Sequence, residues 1–258
     1  MVPRWPQRRY AAGVTLFAGV DLAWSGRRPT GLCVLRHGAA GLQFESLDCT
    51  TLTAVEVAAW LDNLGPQVVA GIDAPLVVSP VRTAEAQLAR VYGSRGVYAY
   101  AARPDFLQRH GIAEGPRLGD ALAAGGWNLD PSANGPRRAL EVFPHAAIVA
   151  LFGAPRALRY KKGSLASRME PLREYQRLIS THVRSEAPEL LTSPLGDFLR
   201  APVEPMSVRS VKDAEDRLDA VTCALSAYHI WRHGSLGTTV FGDATSGYIA
   251  VPVAIAPP

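Results

Sequence analysis

Apolar residues fall along this chain in short runs broken by single acids and glycines, and the period of each run predicts an element. Leu16 to Ala23 (LFAGVDLA) is an apolar run with one internal acid, the pattern of a central strand. Thr30 to Arg36 (TGLCVLR) and Gly41 to Leu47 (GLQFESL) follow, with His37-Gly38 as turn material, so the first three runs predict an antiparallel meander. Thr53 to Leu64 carries apolar positions near the helical period, and Thr53 with Glu56 spells a capping box. Gln67 to Asp73 (QVVAGID) is apolar without alternation. It comes after a helix, which predicts a fully buried strand parallel to the first.

Between Val81 and Gly126 the helical pattern is interrupted by glycines at 93, 96, 111, 115, 119, 125 and 126. Short helices and loops are expected there, inserted at about residues 81–130 and able to form a binding face. Arg138 to Phe143 predicts a further strand, and Pro144 opens a helix that ends near Gly153. Val211 to His233 is the clearest helix, and the tail reads as a hairpin turning between Gly242 and Gly247. The expected fold class is therefore α/β. It comprises a mixed five-stranded sheet (three antiparallel strands, then parallel ones), flanking helices, a helical insertion and a C-terminal hairpin. Residues 14–258 read as one domain behind a loose basic arm at 1–13.

Five acids sit where an unpaired charge is costly. Asp21 and Asp73 each end an apolar strand before a turn, and ends of strands in α/β sheets are where ligand sites gather. Glu141 ends a third strand. Asp216 and Asp219 are spaced i, i+3 and share one face of the last helix. Taken singly, each acid also reads as a cap for a turn or helix. Taken together they point to a shared cation, because clustered carboxylates repel unless one neutralises them. An all-oxygen ligand set selects Mg or Mn, as one or two ions, over zinc or copper.

Charge adds a second strand to the argument. The net charge is +4, but between Ala154 and Arg184 eight cations face two acids, Glu170 and Glu174. Such a stripe suits a polyanion, nucleic acid first, or is a solvated helix face. Within it Arg159, Lys161 and Lys162 are candidate phosphate contacts, with a solvated lysine pair as the alternative. His145 is either a substrate-binding or proton-shuttling group or a helix-start histidine satisfied by its neighbours. Tyr92, Tyr98, Tyr100, Phe106 and Trp127 read as core, with base stacking as the alternative. Three isolated cysteines (Cys33, Cys49, Cys223) suggest buried thiols and a cytoplasmic protein. Arg8-Arg9 before an apolar run imitates a secretion signal, yet Asp21 interrupts that run and no small-x-small cleavage site precedes Trp24. No run is long enough to span a membrane.

The blocks GVDLAW, GIDAPL, EVFPHA, LFG, YKKG and DRLDAVTCA, closed by GYIAVP, resemble the bacterial and archaeal family called domain of unknown function 429, over about residues 16–253. That resemblance implies an RNase H-like fold and a metal-dependent nuclease. It implies Asp21 as the first-strand acid of the RNase H-like superfamily, Asp73 as a mid-sheet acid and Asp219 as the acid of the final helix. The Asp216/Asp219 pair is also similar to the last acidic pair of RuvC-type resolvases. Asp21, Asp73 and Asp219 are thus the expected metal ligands, and Glu141 and Asp216 compete for a fourth place among the catalytic acids. Two other readings stay open. One is an ATP- or phosphate-binding enzyme of the related sugar-kinase-like fold, which Arg27 to Thr30 serve poorly as a phosphate loop. The other is a non-catalytic nucleic-acid-binding protein.

Overall fold

The computed structural model describes residues 13–203 and 207–255. The basic arm expected at residues 1–13 lies, but for Gly13, outside them. Strands β1 (Thr15–Asp21), β2 (Pro29–Gly38) and β3 (Gly41–Thr51) form the antiparallel meander, and β4 (Val68–Ile72) and β5 (Arg137–Glu141) continue parallel to β1. The sheet order is β3-β2-β1-β4-β5, and its three antiparallel strands followed by parallel ones are as expected. β3 runs past its expected end at Leu47 to Thr51, and the β2–β3 register shifts at Val34/Leu35. Helix α1 (Ala54–Leu64) starts at the expected capping box, with Thr53 accepting from the Glu56 N–H and the Glu56 carboxylate accepting from the Thr53 N–H.

Alternation along β1 and β4 sorts side chains to two faces. Leu16, Ala18, Val20, Ala70 and Ile72 pack under α1 and α4 (Glu114–Ala124), together with Trp60, Leu61, Leu118 and Trp127. Phe17 and Val69 face the opposite layer, built from α5 (Pro144–Ala150), α6 (Leu165–Glu186) and α8 (Val208–His233). Between β4 and β5 lie α2 (Ala84–Tyr92), α3 (Pro104–Arg109) and α4. The glycine-interrupted segment therefore supplies α4, one of the two helices covering a face of the sheet. A short α7 (Pro194–Arg200) follows α6, and the C-terminal hairpin pairs β6 (Thr238–Asp243) with β7 (Gly247–Pro252).

Helix α8 is buried on nearly every side from Leu218 to Ile230, and it lies flush against the sheet for a specific reason. A Cβ on Gly19 would overlap the Ala220 carbonyl, one on Gly31 the Asp216 carbonyl, and one on Gly71 the Cys223 carbonyl. Three strands thus present bare backbone to one helix, the close approach that glycine alone permits. All three cysteines are free thiols; Cys33 and Cys223 are buried and Cys49 partly so. Among the described residues no helix is long and apolar enough to cross a membrane.

Candidate metal centre

The same glycines place the acids. Gly19 and Gly71 are register partners on parallel strands, and Asp21 and Asp73 come two residues later, so side-chain alternation turns both toward α8. The Asp73 N–H donates to the Val20 carbonyl at 2.8 Å, which carries the register one step beyond β4. The turn after Asp73 is braced from the other face. Gly115 and Gly119 of α4 approach the Pro75 and Leu76 carbonyls so closely that any side chain there would clash. With α8 resting on Gly19 and Gly71, Asp219 meets both strand acids. One carboxylate oxygen from each of Asp21, Asp73 and Asp219 lies within 4.8 Å of the others.

Asp219 is fully buried. Its Oδ1 accepts from the Tyr160 hydroxyl at 2.7 Å and the Tyr175 hydroxyl at 3.0 Å. Its Oδ2 pairs with the Lys161 ammonium at 2.6 Å, so a side-chain cation faces the acidic group in this structure. Three carboxyls held this close favour a neighbouring positive charge, which a metal ion also supplies. The three donors are all carboxylate oxygens, the ligands of hard divalent ions. The residues present therefore fit a metal.

Asp216, one turn earlier on α8, is buried beside Asp21 and pairs with Lys212. Glu141 lines the same cavity but stands outside the acidic group. Its register partner on β4 is Ile72, one residue short of Asp73, and a one-residue offset along a strand turns the side chain to the other face. Both its oxygens are taken. Arg82, whose side chain is fully buried, binds Oε1 at 2.5 Å and Oε2 at 3.1 Å, and the Leu76 N–H reaches Oε2 at 3.1 Å. Arg82 also holds Glu85 at 2.7 Å, so Glu141 ties the end of β5 to α2.

Above the acids opens a cavity of about 1090 Å³. Asp21, Asp73, Glu141, Asp216, His145, Arg159, Lys161 and Lys162 all line it, with Asp219 beneath. The basic stripe divides in two. Arg156, Arg159, Lys161 and Lys162 border the cavity, whereas Arg168 pairs with Glu215, Arg173 with Glu170 and Arg177 with Glu174. His145 stacks on Tyr160 with ring centres 4.9 Å apart. Burial, reinforced by Lys161, lowers its pKa to about 4, so the imidazole is neutral at pH 7.

Several members of the site were not singled out from sequence. Tyr160 directly precedes the lysine pair in the YKKG block, and Tyr175 lies one helix away. Lys212 stands four residues before Asp216, which is the one sequence signal for its pairing. Two aromatic residues depart from the core expectation: Tyr98 is 67 % and Tyr100 65 % exposed, and both line the cavity. Trp127 is core, packed under the sheet with its indole N–H donating to Asp62 at 2.7 Å, while Tyr92 and Phe106 are partly buried.

Crowding governs protonation. Burial chiefly pushes Asp73 up to about 8; Lys161 opposes the shift and Asp21 and Asp219 add to it. Burial likewise raises Asp21 well above the ordinary range, again opposed by Lys161 and helped by Asp219 and Asp216. Burial works against charge on Lys161, but Asp21, Asp219 and Asp73 outweigh it and keep the ammonium. The unfolded Asp73 carboxyl titrates near 3.9, so between about pH 4 and 8 the folded protein holds the extra proton. The stability this provides is complete below about pH 4 and is lost as pH rises through about 8. A cation needs the deprotonated acids, so Mn²⁺ affinity is expected to rise with pH as Asp73 and Asp21 lose their protons, with proton release at pH 7. Calorimetric titrations in two buffers of different ionisation enthalpy measure that release; equal heats in both would count against it.

A family model described as "Protein of unknown function (DUF429)" matches residues 19–245. The chain belongs to that family. Searches of curated proteins and of solved structures give no match.

Proposed function

We propose that this is a metal-dependent nuclease of RNase H-like architecture, hydrolysing phosphodiester bonds at the Asp21–Asp73–Asp219 centre. One observation carries the reading: carboxylate oxygens at the ends of β1 and β4 and on α8 lie within 4.8 Å of one another, beside a cavity that Arg156, Arg159, Lys161 and Lys162 also line. Asp21, Asp73 and Asp219 would hold Mg²⁺ or Mn²⁺, which when bound lowers the pKa of water and offsets charge on the phosphoryl oxygens.

The chain's own groups do the rest. Tyr160 and Tyr175 fix the Asp219 carboxylate by donating to a single oxygen, which leaves the other oxygen for the ion. Lys161 neutralises the cluster while it is empty. Its side chain is 30 % exposed and reaches the cavity, so it can turn from Asp219 to a substrate phosphate once the cluster is filled. Arg159 and Lys162, exposed on the same wall, hold flanking phosphates. Neutral His145 is a hydrogen-bonding group for substrate rather than a proton source at pH 7. Glu141 positions the end of β5 through Arg82.

Fluorescein-labelled DNA, RNA and hybrid substrates incubated with Mn²⁺ or Mg²⁺ test the reading. Cleavage should appear with metal, vanish in EDTA and vanish in Asp21→Asn. A wild-type protein that leaves every substrate intact refutes it. Glu141→Gln is expected to keep the wild-type Mn²⁺ stoichiometry in calorimetry; a lost site would make Glu141 a ligand.

A further inference from the structure

One wall of the cavity is built for something other than phosphate. Tyr98 and Tyr100 lie on the segment between the 3-10 turn Gly93–Arg95 and α3, and both are exposed where they line the cavity. Trp24, three residues past Asp21, meets Tyr100 in a T-shaped pair with ring centres 6.1 Å apart and planes 79° apart, and Tyr100 stays 65 % exposed. Large exposed aromatic residues grouped beside a charged site mark a recognition surface.

The aromatic segment is tied to the cationic wall. Arg95 donates to the Ala154 carbonyl at 2.6 Å and the Pro155 carbonyl at 3.1 Å, and the Ala157 N–H returns a bond to the Arg95 carbonyl at 2.8 Å. The loop carrying Arg156 and Arg159 is thereby held against the loop carrying the tyrosines, and Asp21 and Asp73 line the same cavity. Phosphate-contacting cations alone do not favour a single strand, because the duplex carries the denser phosphate charge. Aromatic faces add affinity only for bases free to leave their own stack.

We propose that the cavity takes an unpaired nucleic-acid strand, its bases stacked on Tyr98 and Tyr100 and its phosphates against Arg156, Arg159 and Lys162. This assignment rests on the reading of the acidic centre as a phosphodiester-cleaving site and names the substrate class of that site. DNA and RNA share the stacking chemistry, and the difference between them is left to the arms of the test.

Fluorescence anisotropy in EDTA, with the full chain, separates binding from cleavage. The probes are labelled oligo(dT), oligo(rU) and a blunt duplex of the same length. Either single strand should bind at least about tenfold more tightly than the duplex. The Tyr98→Ala/Tyr100→Ala pair should lose about tenfold or more of that affinity, and the Tyr98→Phe/Tyr100→Phe pair should retain it, since stacking needs the ring and not the hydroxyl. Circular dichroism confirms that both variants are folded. The preferred strand between oligo(dT) and oligo(rU) identifies DNA or RNA as the source. Duplex binding as tight as single-strand binding, an alanine pair that binds like wild type, or no binding to either strand would overturn the proposal. Single-strand preference without Mn²⁺-dependent cleavage would remove the hydrolase reading and leave this one. Equal cleavage of duplex and single strand would do the reverse.

Discussion

Asp219→Asn is expected to lower metal-dependent cleavage by at least about a thousandfold, equivalent to about 4 kcal/mol of transition-state stabilisation, while the protein stays folded. The substitution keeps the shape of the side chain and both tyrosine contacts can be met by the amide oxygen, so the loss is one of charge. It also removes a fully buried acid from a crowded cluster. The metal-free variant should be no more stable than wild type, because any relief of crowding is set against the loss of the Lys161 ion pair at 2.6 Å. In wild type, saturating Mn²⁺ at about 100 times its dissociation constant should add about 2.7 kcal/mol of stability, and in Asp219→Asn that gain should disappear. Thermal melts with and without Mn²⁺, run beside the cleavage assay, measure both effects. A variant that still gains stability from the ion would place the ligand elsewhere.

Gly19→Ala is the second large effect, and it acts on the frame. The new methyl would overlap the Ala220 carbonyl and sit within about a bond length or two of the Ala224 backbone nitrogen, with no flexible side chain available to yield. Helix α8 must move off the sheet, at a cost of about 3 kcal/mol or more, and it carries Asp216 and Asp219 with it. Chemical denaturation should show the loss, and Mn²⁺ affinity should fall although no ligand has changed. Gly38→Ala is the control: a Cβ there meets only Val14 and Arg36 side chains at 3.7 and 3.8 Å, so stability should hardly alter. Equal behaviour of the two variants would contradict the flush packing of α8.

Much of this frame was readable in the chain because it rests on local rules. The meander, the capping box at Thr53, the buried strand ending in Asp73 and the C-terminal hairpin follow from period and turn chemistry. Acids stranded in apolar runs marked five candidates for a shared site, and the family resemblance singled out Asp21, Asp73 and Asp219 among them. What was not legible depends on contacts between distant segments. Nothing in the strand pattern of GVD and GID shows that α8 lies on their glycines; that is set by the packing of a helix well over 100 residues away in sequence. The offset of Glu141 against Asp73 is a register property, invisible until β4 and β5 are paired. Tyr160 and Tyr175 carry no periodic signal that separates a core ring from one whose hydroxyl reaches an acid. Tyr98 and Tyr100 alternate with small residues like a strand, so exposure was hidden. The stripe of cations was visible, but its division between the cavity wall, the buried Arg168–Glu215 pair and the surface pairs of α6 required the run of α6.

The central claim is that Asp21, Asp73 and Asp219 hold one divalent cation between them. Anomalous diffraction from a crystal soaked in Mn²⁺ tests it most directly. A manganese peak at about 2.1 Å from a carboxylate oxygen of each of the three acids is the result the account predicts. No peak there in a fully soaked crystal, or a peak ligated by Glu141 or Asp216 without Asp73, would contradict it.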